Sequence, residues 1–413
     1  MKQITALLII FMLTARLLSA QDMLEEYLHT AAVNNPGLKA KFNEYLAALE
    51  QIPQAGSIPD PQLAFGYFIQ PVETRNGPQR LAVSFSQMLP WFGTTGAKKD
   101  AAMSMAKAKY EAFEAEKSKL YFDVKASYYD LYFISKGIDI AYENIKILES
   151  FRSMALIRME AGKSSGLDEI RVAMELAELE NNLAMLKDNW NYHSVRFNKL
   201  LNVASETEIK VAASLPENDL PYSRQAILDS LNMNNPEVKR LDFMAEAYRD
   251  REEIAKKSGA PNITLGIDYF VIGKSENPMA AVDNGRDGIL FPKVGISIPL
   301  YRKKYSSMVN EALYMQEAVE NQKEDKVNML EVLMQQAINN YQDAQRRIKL
   351  YADQRELATK AMNILESEYS SNGSSFEELL RMERKLLHYG LELQRGYADK
   401  QAAIAFIYYL MGK

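Results

Sequence analysis

Four short segments of the chain alternate between apolar and polar residues. They span residues 62–70, 80–88, 262–271 and 293–299. A period of two with one apolar face predicts half-buried β-strands, and segments of roughly nine residues have the length of tilted strands that cross a bilayer. The other face of each segment is small and polar, which suits a wet lumen.

Aromatic residues stand near the ends of the predicted strands, as they do in the interfacial girdles of membrane barrels. These residues are Trp91, Phe92, Phe291 and Tyr301. The alternative is a soluble hairpin or sandwich whose apolar face lies on a core. Four strands cannot close a transmembrane barrel, which needs about eight or more, and open strand edges are not tolerated in lipid. The membrane interpretation therefore predicts that several copies of the chain pool their strands.

Two long segments are predicted to be continuous helices. Residues 97–160 hold no proline and one glycine, and residues 303–372 hold neither. In both segments apolar residues recur at steps of three and four that average close to 3.5, which is typical of coiled coils. Gly/Ser turns then precede two returning helices, at about 167–201 and 376–411. The pattern predicts two helical hairpins, with the strands at one end and the turns at the other.

The order of these elements repeats along the chain, which indicates an internal duplication. The tripeptide Asn-Asn-Pro at 34–36 recurs at 234–236, and each copy opens a helical stretch that leads to two strands and a long hairpin. We expect a first repeat over 21–202, a linker over 203–221 and a second repeat over 222–413.

Residues 1–20 predict a cleaved secretory signal, because the apolar run after Lys2 is interrupted by Arg16 and is too short to span a bilayer. Of the 413 residues none is cysteine and three are histidine, which excludes disulfides, thiol nucleophiles and cysteine-based zinc sites. A formal net charge of -5 argues against a nucleic-acid surface. The sequence shows no nucleophile–base pair, metal cluster or phosphate loop, so neither an enzyme activity nor a cofactor is expected.

The 20 methionines allow one alternative, which is the handling of a soft metal ion such as Cu(I) or Ag(I). They are scattered through the helical segments, where flexible thioethers fill irregular gaps in apolar packing. The packing interpretation is preferred, and no metal ligand is assigned.

The two hairpin turns, at 159–173 and 368–380, carry the most specific local signal. Together with the duplication and the two strands in each half, they make the chain resemble the TolC-like outer-membrane efflux family over essentially its whole mature length. Two positions depart from the family pattern, since Met159 replaces an aromatic residue and Asn372 takes a glycine position. The resemblance implies a mainly α protein whose long helical hairpins form a periplasmic α-barrel. Four strands per chain would pool into a 12-stranded trimeric membrane β-barrel, and the linker at 203–221 would form an equatorial layer.

The resemblance also implies a function and partners. The protein would be a passive homotrimeric exit duct in the outer membrane of a Gram-negative bacterium, surrounded by outer-membrane lipid. In a tripartite efflux system its partners would be a periplasmic adaptor, or membrane fusion protein, and an inner-membrane pump of the RND or ABC type. One alternative is the outer-membrane component of a one-step (type I) secretion system. A secreted coiled-coil structural or adaptor protein is the alternative from a different class.

Acids just past the second hairpin turn ring and gate the periplasmic aperture in the family that the chain resembles. Residue matching places Glu378 at the first acidic position, with Glu377 beside it, whereas Arg381 occupies the second. Asp168 and Arg171 are the equivalent residues of the first hairpin. Spacing of three residues on a helix allows Glu378 to pair with Arg381, and Asp168 with Arg171. The alternative is that all of these are solvated charges at the hairpin tips.

Two further groups of residues are candidates. The turn residues at the tips would contact the adaptor, although reversal of the chain alone also explains them. These are Gly162, Ser164, Ser165, Asn372, Gly373 and Ser374. On the lumen face of the predicted strands, Asp268 and Lys293 would set charge selectivity, or would pair with each other as a structural contact.

Overall fold

The computed structural model describes residues 20–74, 77–274, 288–371 and 375–413, with side chains from residue 23 onward. These residues form eight helices and four strands. In chain order they are α1 (Ala20–Asn34), α2 (Pro36–Gly56), β1 (Gln62–Thr74), β2 (Gly77–Leu89), α3 (Thr94–Glu160), α4 (Leu167–Leu200), α5 (Arg224–Asn234), α6 (Pro236–Ser258), β3 (Asn262–Ile272), β4 (Gly288–Ser297), α7 (Arg302–Ser370) and α8 (Phe376–Leu410). The expected signal segment lies outside the described residues except for its last residue.

The helix bounds expected from the sequence are close to the observed ones. α3 and α7 are continuous over 67 and 69 residues, which corresponds to about 100 Å each. Most of the apolar residues that recur at these steps of three and four are buried, with Val124, Leu131, Ala337 and Ala344 each at 0% exposure, and the others are half-buried. No helix in the described part of the chain carries an apolar stretch long enough to cross a membrane.

The observed strands are longer than the alternation suggested, and β4 differs most. It spans Gly288–Ser297 rather than 293–299. Phe291 therefore lies inside the strand and not before it, which corrects its expected place near a strand end. The ladder extends this far because Leu290 pairs with Tyr269 and prolongs the apolar face past the point where Phe291 breaks the alternation.

The four strands form one antiparallel sheet in the order β1-β2-β3-β4. The central pair, β2 and β3, joins strands from the two halves of the chain. The register aligns apolar side chains of all four strands on one face, which includes Leu63, Phe65, Tyr67, Leu81, Val83, Phe85, Leu265, Ile267, Tyr269, Leu290, Val294 and Ile296. Most of these side chains are exposed in the single chain, with Phe65 at 70% and Val294 at 71%.

Small and polar residues occupy most of the opposite face of the sheet. They include Ala64, Gly66, Ser84, Ser86, Thr264, Gly266, Asp268, Lys293 and Gly295. The sheet therefore has one apolar face and one face that is small and polar for the most part, as the alternation predicted, although the register also places Phe270, Ile289 and Phe291 on that second face.

The chain divides into two compact units, each described by itself. Unit 2 consists of residues 42–112 and 237–326 and holds the sheet. Polar contacts within it join α3 to α2 and to α6, since Lys109 binds Glu44 at 3.0 Å and the Ser104 hydroxyl donates to Asp250 at 3.1 Å. Its buried apolar cluster consists of Leu241, Ala245 and Val319.

Unit 1 contains residues up to 41 together with 113–236 and 327–413. Within it, side chains of α3 and α8 hold the segment that the sequence marked as a linker. The Tyr128 hydroxyl accepts a hydrogen bond from the Ala212 N–H at 3.0 Å. Lys400, only 7% exposed, donates to the Asp219 carboxylate at 2.8 Å, which is the pairing that a buried ammonium requires.

Within unit 1, equivalent hydrogen bonds in the two halves of the chain join the residue before a short helix to the end of a long one. The Asn35 amide donates to the Leu200 carbonyl at 3.2 Å, and the Asn235 amide donates to the Leu410 carbonyl at 3.0 Å. Each asparagine precedes a proline at the first position of a helix, where the missing N–H is not needed. In both halves the asparagine thus anchors the end of a long helix, and Asn35 also caps α2 by accepting a hydrogen bond from the Leu38 N–H at 3.1 Å. The exact domain bounds stay a prediction.

The ends of α4 and α8 also match in backbone conformation. Asn202 has a φ of 53° and Gly412 a φ of 71°, so both lie in the left-handed region. In each case the following N–H bonds back to the carbonyl five residues earlier at 3.0 Å, which is the Schellman termination of a helix.

Candidate functional site

The first hairpin turn joins α3 to α4 and is built around one glycine. Gly162 has a φ of 69°, which favours glycine because it has no Cβ. The N–H of the next residue, Lys163, bonds to the Arg158 carbonyl at 2.8 Å and completes a Schellman motif. Ser164 is half-buried and Ser165 is exposed. Gly162 is therefore required by the turn itself, and any adaptor contact at this tip stays a prediction.

The second hairpin turn precedes α8. Three of its candidate residues lie outside the described residues, namely Asn372, Gly373 and Ser374. Ser375 caps α8, since its hydroxyl accepts a hydrogen bond from the Glu377 N–H at 3.2 Å. Glu377 and Glu378 occupy the first turn of this helix, where carboxylates interact favourably with the helix dipole.

Both charge pairs that the helix spacing allowed are present. Arg381 binds Glu378 at 3.0 Å, and Arg171 lies 3.6 Å from Asp168. Arg171 also contacts Glu377 at 3.3 Å and so joins the two hairpins, a contact that the sequence did not reveal. Glu377, Glu378 and Arg381 are largely solvated, so the ion pairs that include them are worth only about 0–1 kcal/mol each, whereas the side chains of Asp168 and Arg171 are more covered, at 16% and 35% exposure. Acidic and basic side chains therefore lie close together in the first turns of α4 and α8, held by weak contacts.

An apolar cluster lies behind these charges and holds the four long helices together. Tyr369, Phe376, Leu379 and Leu380 are each at most 3% exposed within it. The Arg158 guanidinium lies 4.1 Å from the centroid of the Tyr369 ring and donates a hydrogen bond to the carbonyl of the same residue. This cation–π contact joins the end of α3 to the end of α7.

Glu383 is an unexpected member of this buried region. It is 2% exposed, and burial raises the pKa of its carboxyl to about 7, with the Glu175 carboxylate adding to the rise and Arg384 opposing it. Sequence reasoning missed this residue although a signal existed. Glu383 lies four residues after Leu379 and three after Leu380, so helical periodicity puts it on the same apolar face.

The two lumen candidates of the sheet bind each other. The Lys293 ammonium lies 2.6 Å from the Asp268 carboxylate, across the β3–β4 pair on the small, polar face. The pairing that the sequence left open is therefore present. Whether these charges also act on ions in a lumen stays a prediction.

The methionines take mixed positions. Met334 and Met411 are at most 1% exposed and fill core positions, whereas Met174 and Met233 are 68% and 72% exposed. Among the described residues no group of three or more His, Cys, Asp or Glu side chains is arranged to hold a metal ion.

Comparisons with known proteins agree on the fold. The chain is similar to the solved structure of CusC, which forms a transmembrane channel, with a TM-score of 0.79 and 16% identity over 94% of this chain and 92% of that one. It is similar to the outer membrane protein VceC of Vibrio cholerae, with a TM-score of 0.76 and 15% identity over 95% and 98% of the two chains. It is also similar to the open-state outer membrane channel MtrE of Neisseria gonorrhoeae, with a TM-score of 0.76 and 14% identity over 94% of this chain and 89% of that one.

At these identities the structural likeness shows the fold, and it confirms the expected mainly α chain with four strands. The chain matches no curated protein sequence. The family of outer membrane efflux proteins matches residues 27–203 by sequence. This sequence match covers less than half of the chain, and the similar solved structures share the fold over nearly its whole length.

Proposed function

We propose that the chain is one subunit of a trimeric, passive exit duct that works with a periplasmic adaptor and an inner-membrane pump. The observation that carries the proposal is the sheet, whose apolar face is exposed and whose edge strands β1 and β4 each have one neighbour within the described residues. Lipid tolerates such a face but not open strand edges. The edges must then be paired by other copies of the chain.

The character of the polar face favours three copies over two. Two copies would supply eight strands and three would supply 12, since each has four. The interior of an eight-stranded barrel is just wide enough to be filled by side chains. Over the part of the polar face that carries Ala64, Gly66, Ser84 and Gly266, the side chains are too small to fill such an interior. Twelve strands around these small residues leave an open, wet lumen.

The helical hairpins supply the periplasmic part of the proposed duct. α3 begins five residues after β2, and α7 begins five residues after β4. Each strand pair thus leads directly into a long hairpin, and two hairpins from each of three copies would form an α-barrel. A passive duct of this kind needs no catalytic group, and the type of pump, RND or ABC, would decide between drug efflux and one-step secretion.

We propose that the charges at the hairpin ends form the gate of the duct. The test is single-channel recording in planar bilayers on the double variant Glu377→Ala/Glu378→Ala. The matched control is Glu178→Ala/Glu180→Ala, which removes two exposed acids from α4. A changed conductance or lower cation selectivity is expected for the first variant only. Equal behaviour of both variants would place the constriction elsewhere.

Contact of the tip with an adaptor has its own test. Because the chain has no cysteine, Ser165→Cys gives a single attachment point for a photo-reactive label. Crosslinking to the co-expressed adaptor is expected from Ser165 and not from the control Glu180→Cys on the exposed side of α4. Equal crosslinking from both positions would refute docking at the tip.

A further inference from the structure

Glu383 is a titratable group for which the proposed duct has no assigned use. Its side chain is 2% exposed, and its Oε1 has no hydrogen-bond partner among the described residues. The neighbours on its face of α8 are Leu379 and Leu380 before it and Leu386 and Leu387 after it, all in or against the apolar cluster. An ionised carboxylate at such a place is costly unless it is paired.

The charged groups around Glu383 do not supply a full counter-charge. On α4 the facing group is Glu175, a second carboxylate. Arg384 on α8 lowers the pKa of Glu383 and so opposes the rise, but its guanidinium is already bound by Glu175 at 3.3 Å.

The two other helices of the cluster offer no better partner. Tyr369 on α7 has a pKa that burial raises, so its phenol stays neutral. Arg158 on α3 is held against that ring. His388 lies five residues further along α8 and packs against Tyr351.

We propose that Glu383 is a proton-sensitive latch that controls how firmly the first turns of α8 pack against α4. With its proton bound, the side chain is neutral and the apolar cluster closes around it. When the proton leaves to solvent, the buried carboxylate lies beside Glu175 and gains hydration only if α8 shifts outward. The packing of Leu379 and Leu380 is then loosened at the same time.

The position of the latch gives it a consequence for the gate, and this part rests on the proposed function. Glu378 directly precedes the buried Leu379, and Arg381 lies between Leu380 and Glu383. Loosening of α8 therefore releases the Glu378–Arg381 pair and the contact of Glu377 with Arg171. The duct is expected to open more readily at alkaline than at mildly acidic pH.

Hydrogen exchange tests the latch without any channel measurement. The full chain is compared in detergent as wild type, Glu383→Gln and the control Glu180→Gln, at pH 5.5 and 8.5, for peptides covering residues 376–390. With a pKa of about 7 against 4.5 for an ordinary carboxyl, the local opening equilibrium of the wild type relative to Glu383→Gln should rise about 30-fold between these pH values. The control should behave as the wild type. Because Glu383→Gln keeps all three histidines, a ratio that does not change with pH overturns the proposal.

A second variant guards against poor folding of the first one. Glu383→Leu removes the ionisable group and fits an apolar cluster. The infrared band of a protonated carboxyl should disappear from the wild type between pH 5.5 and 8.5, and this change should be missing in Glu383→Leu. An identical infrared change in both proteins would also overturn the latch.

Channel recording then distinguishes failure of the latch proposal from failure of the duct proposal. Wild-type open probability should rise between pH 5.5 and 8.5, whereas Glu383→Gln should stay at the acidic level throughout. Conductance with the same pH dependence in both proteins refutes the latch and keeps the duct. A complete lack of conductance refutes the duct, while the exchange experiment still decides the latch.

Discussion

The two faces of the sheet predict opposite responses to the same substitution at adjacent residues. Phe85 lies on the apolar face of β2, 48% exposed, between Leu63 of β1 and Ile267 of β3. Ser86 follows it on the small, polar face, between Gln62 and Gly266. Replacing each by arginine adds the same charge and side chain at nearly the same depth. Only the direction of the side chain differs.

The expected cost for Phe85→Arg has two parts. An arginine on the lipid face near the middle of the bilayer costs about 2–4 kcal/mol. Loss of the two cross-strand pairs of Phe85 adds about 0.2–1 kcal/mol for each pair. The sum is about 2–6 kcal/mol. Ser86→Arg points into the wet lumen and should cost less than about 1 kcal/mol, because the guanidinium stays hydrated.

The assay is urea unfolding of the protein from lipid vesicles, with the free energy of unfolding compared among wild type and the two variants. Since 1.4 kcal/mol is a factor of ten, the two variants should differ by at least about fivefold in the folding equilibrium. Equal losses for Phe85→Arg and Ser86→Arg would refute the assignment of one face to lipid and the other to water. A larger loss for Ser86→Arg would reverse it.

Three further predictions test other parts of the structure, each by the free energy of unfolding. Gly162→Ala should lower the unfolding free energy by about 1–2 kcal/mol, because alanine is strained at positive φ. Gly412→Ala should lower it further, because the added Cβ would also meet the Asn234 carbonyl, and a smaller loss at Gly412 than at Gly162 would contradict this. Lys400→Met leaves its acceptors without their buried donor and should cost about 1–3 kcal/mol, so an unchanged unfolding midpoint would speak against the contact. The carboxyl of Glu383 has a raised pKa in the folded state, so its contribution to stability is full below pH 4.5 and is lost as pH rises to about 7, a change of about 3 kcal/mol. The difference in unfolding free energy between wild type and Glu383→Gln should fall by this amount over the same pH range. A difference that does not change with pH would rule out the raised pKa.

Most of the helical fold could be predicted from the sequence because each signal is local. The seam residues recur every 3.5 positions, and α3 and α7 contain no proline, so their bounds fall within a few residues of expectation. Gly162 marked the first turn because only glycine takes a left-handed conformation without strain. The two faces of the strands could be predicted as well, because the alternation of apolar and polar residues is also a local signal.

The remaining features depend on how elements rotate and slide against each other. β4 starts earlier than predicted because its partner β3 continues the ladder, and Phe291 hid this by breaking the alternation. The contact between Arg171 and Glu377 requires the relative rotation of α4 and α8, which neither helix specifies alone. Glu383 was missed because its charge suggested solvent, although its spacing from Leu379 and Leu380 placed it on the apolar face.

The number of chains in the membrane-extracted particle tests the central claim most directly. It can be measured as the detergent-corrected mass of protein purified from outer membranes, with and without boiling. Three chains per particle, separating on boiling, are expected because each chain supplies four strands and leaves two open edges. A particle of one chain, or a protein recovered without detergent, would contradict the shared barrel and the duct with it.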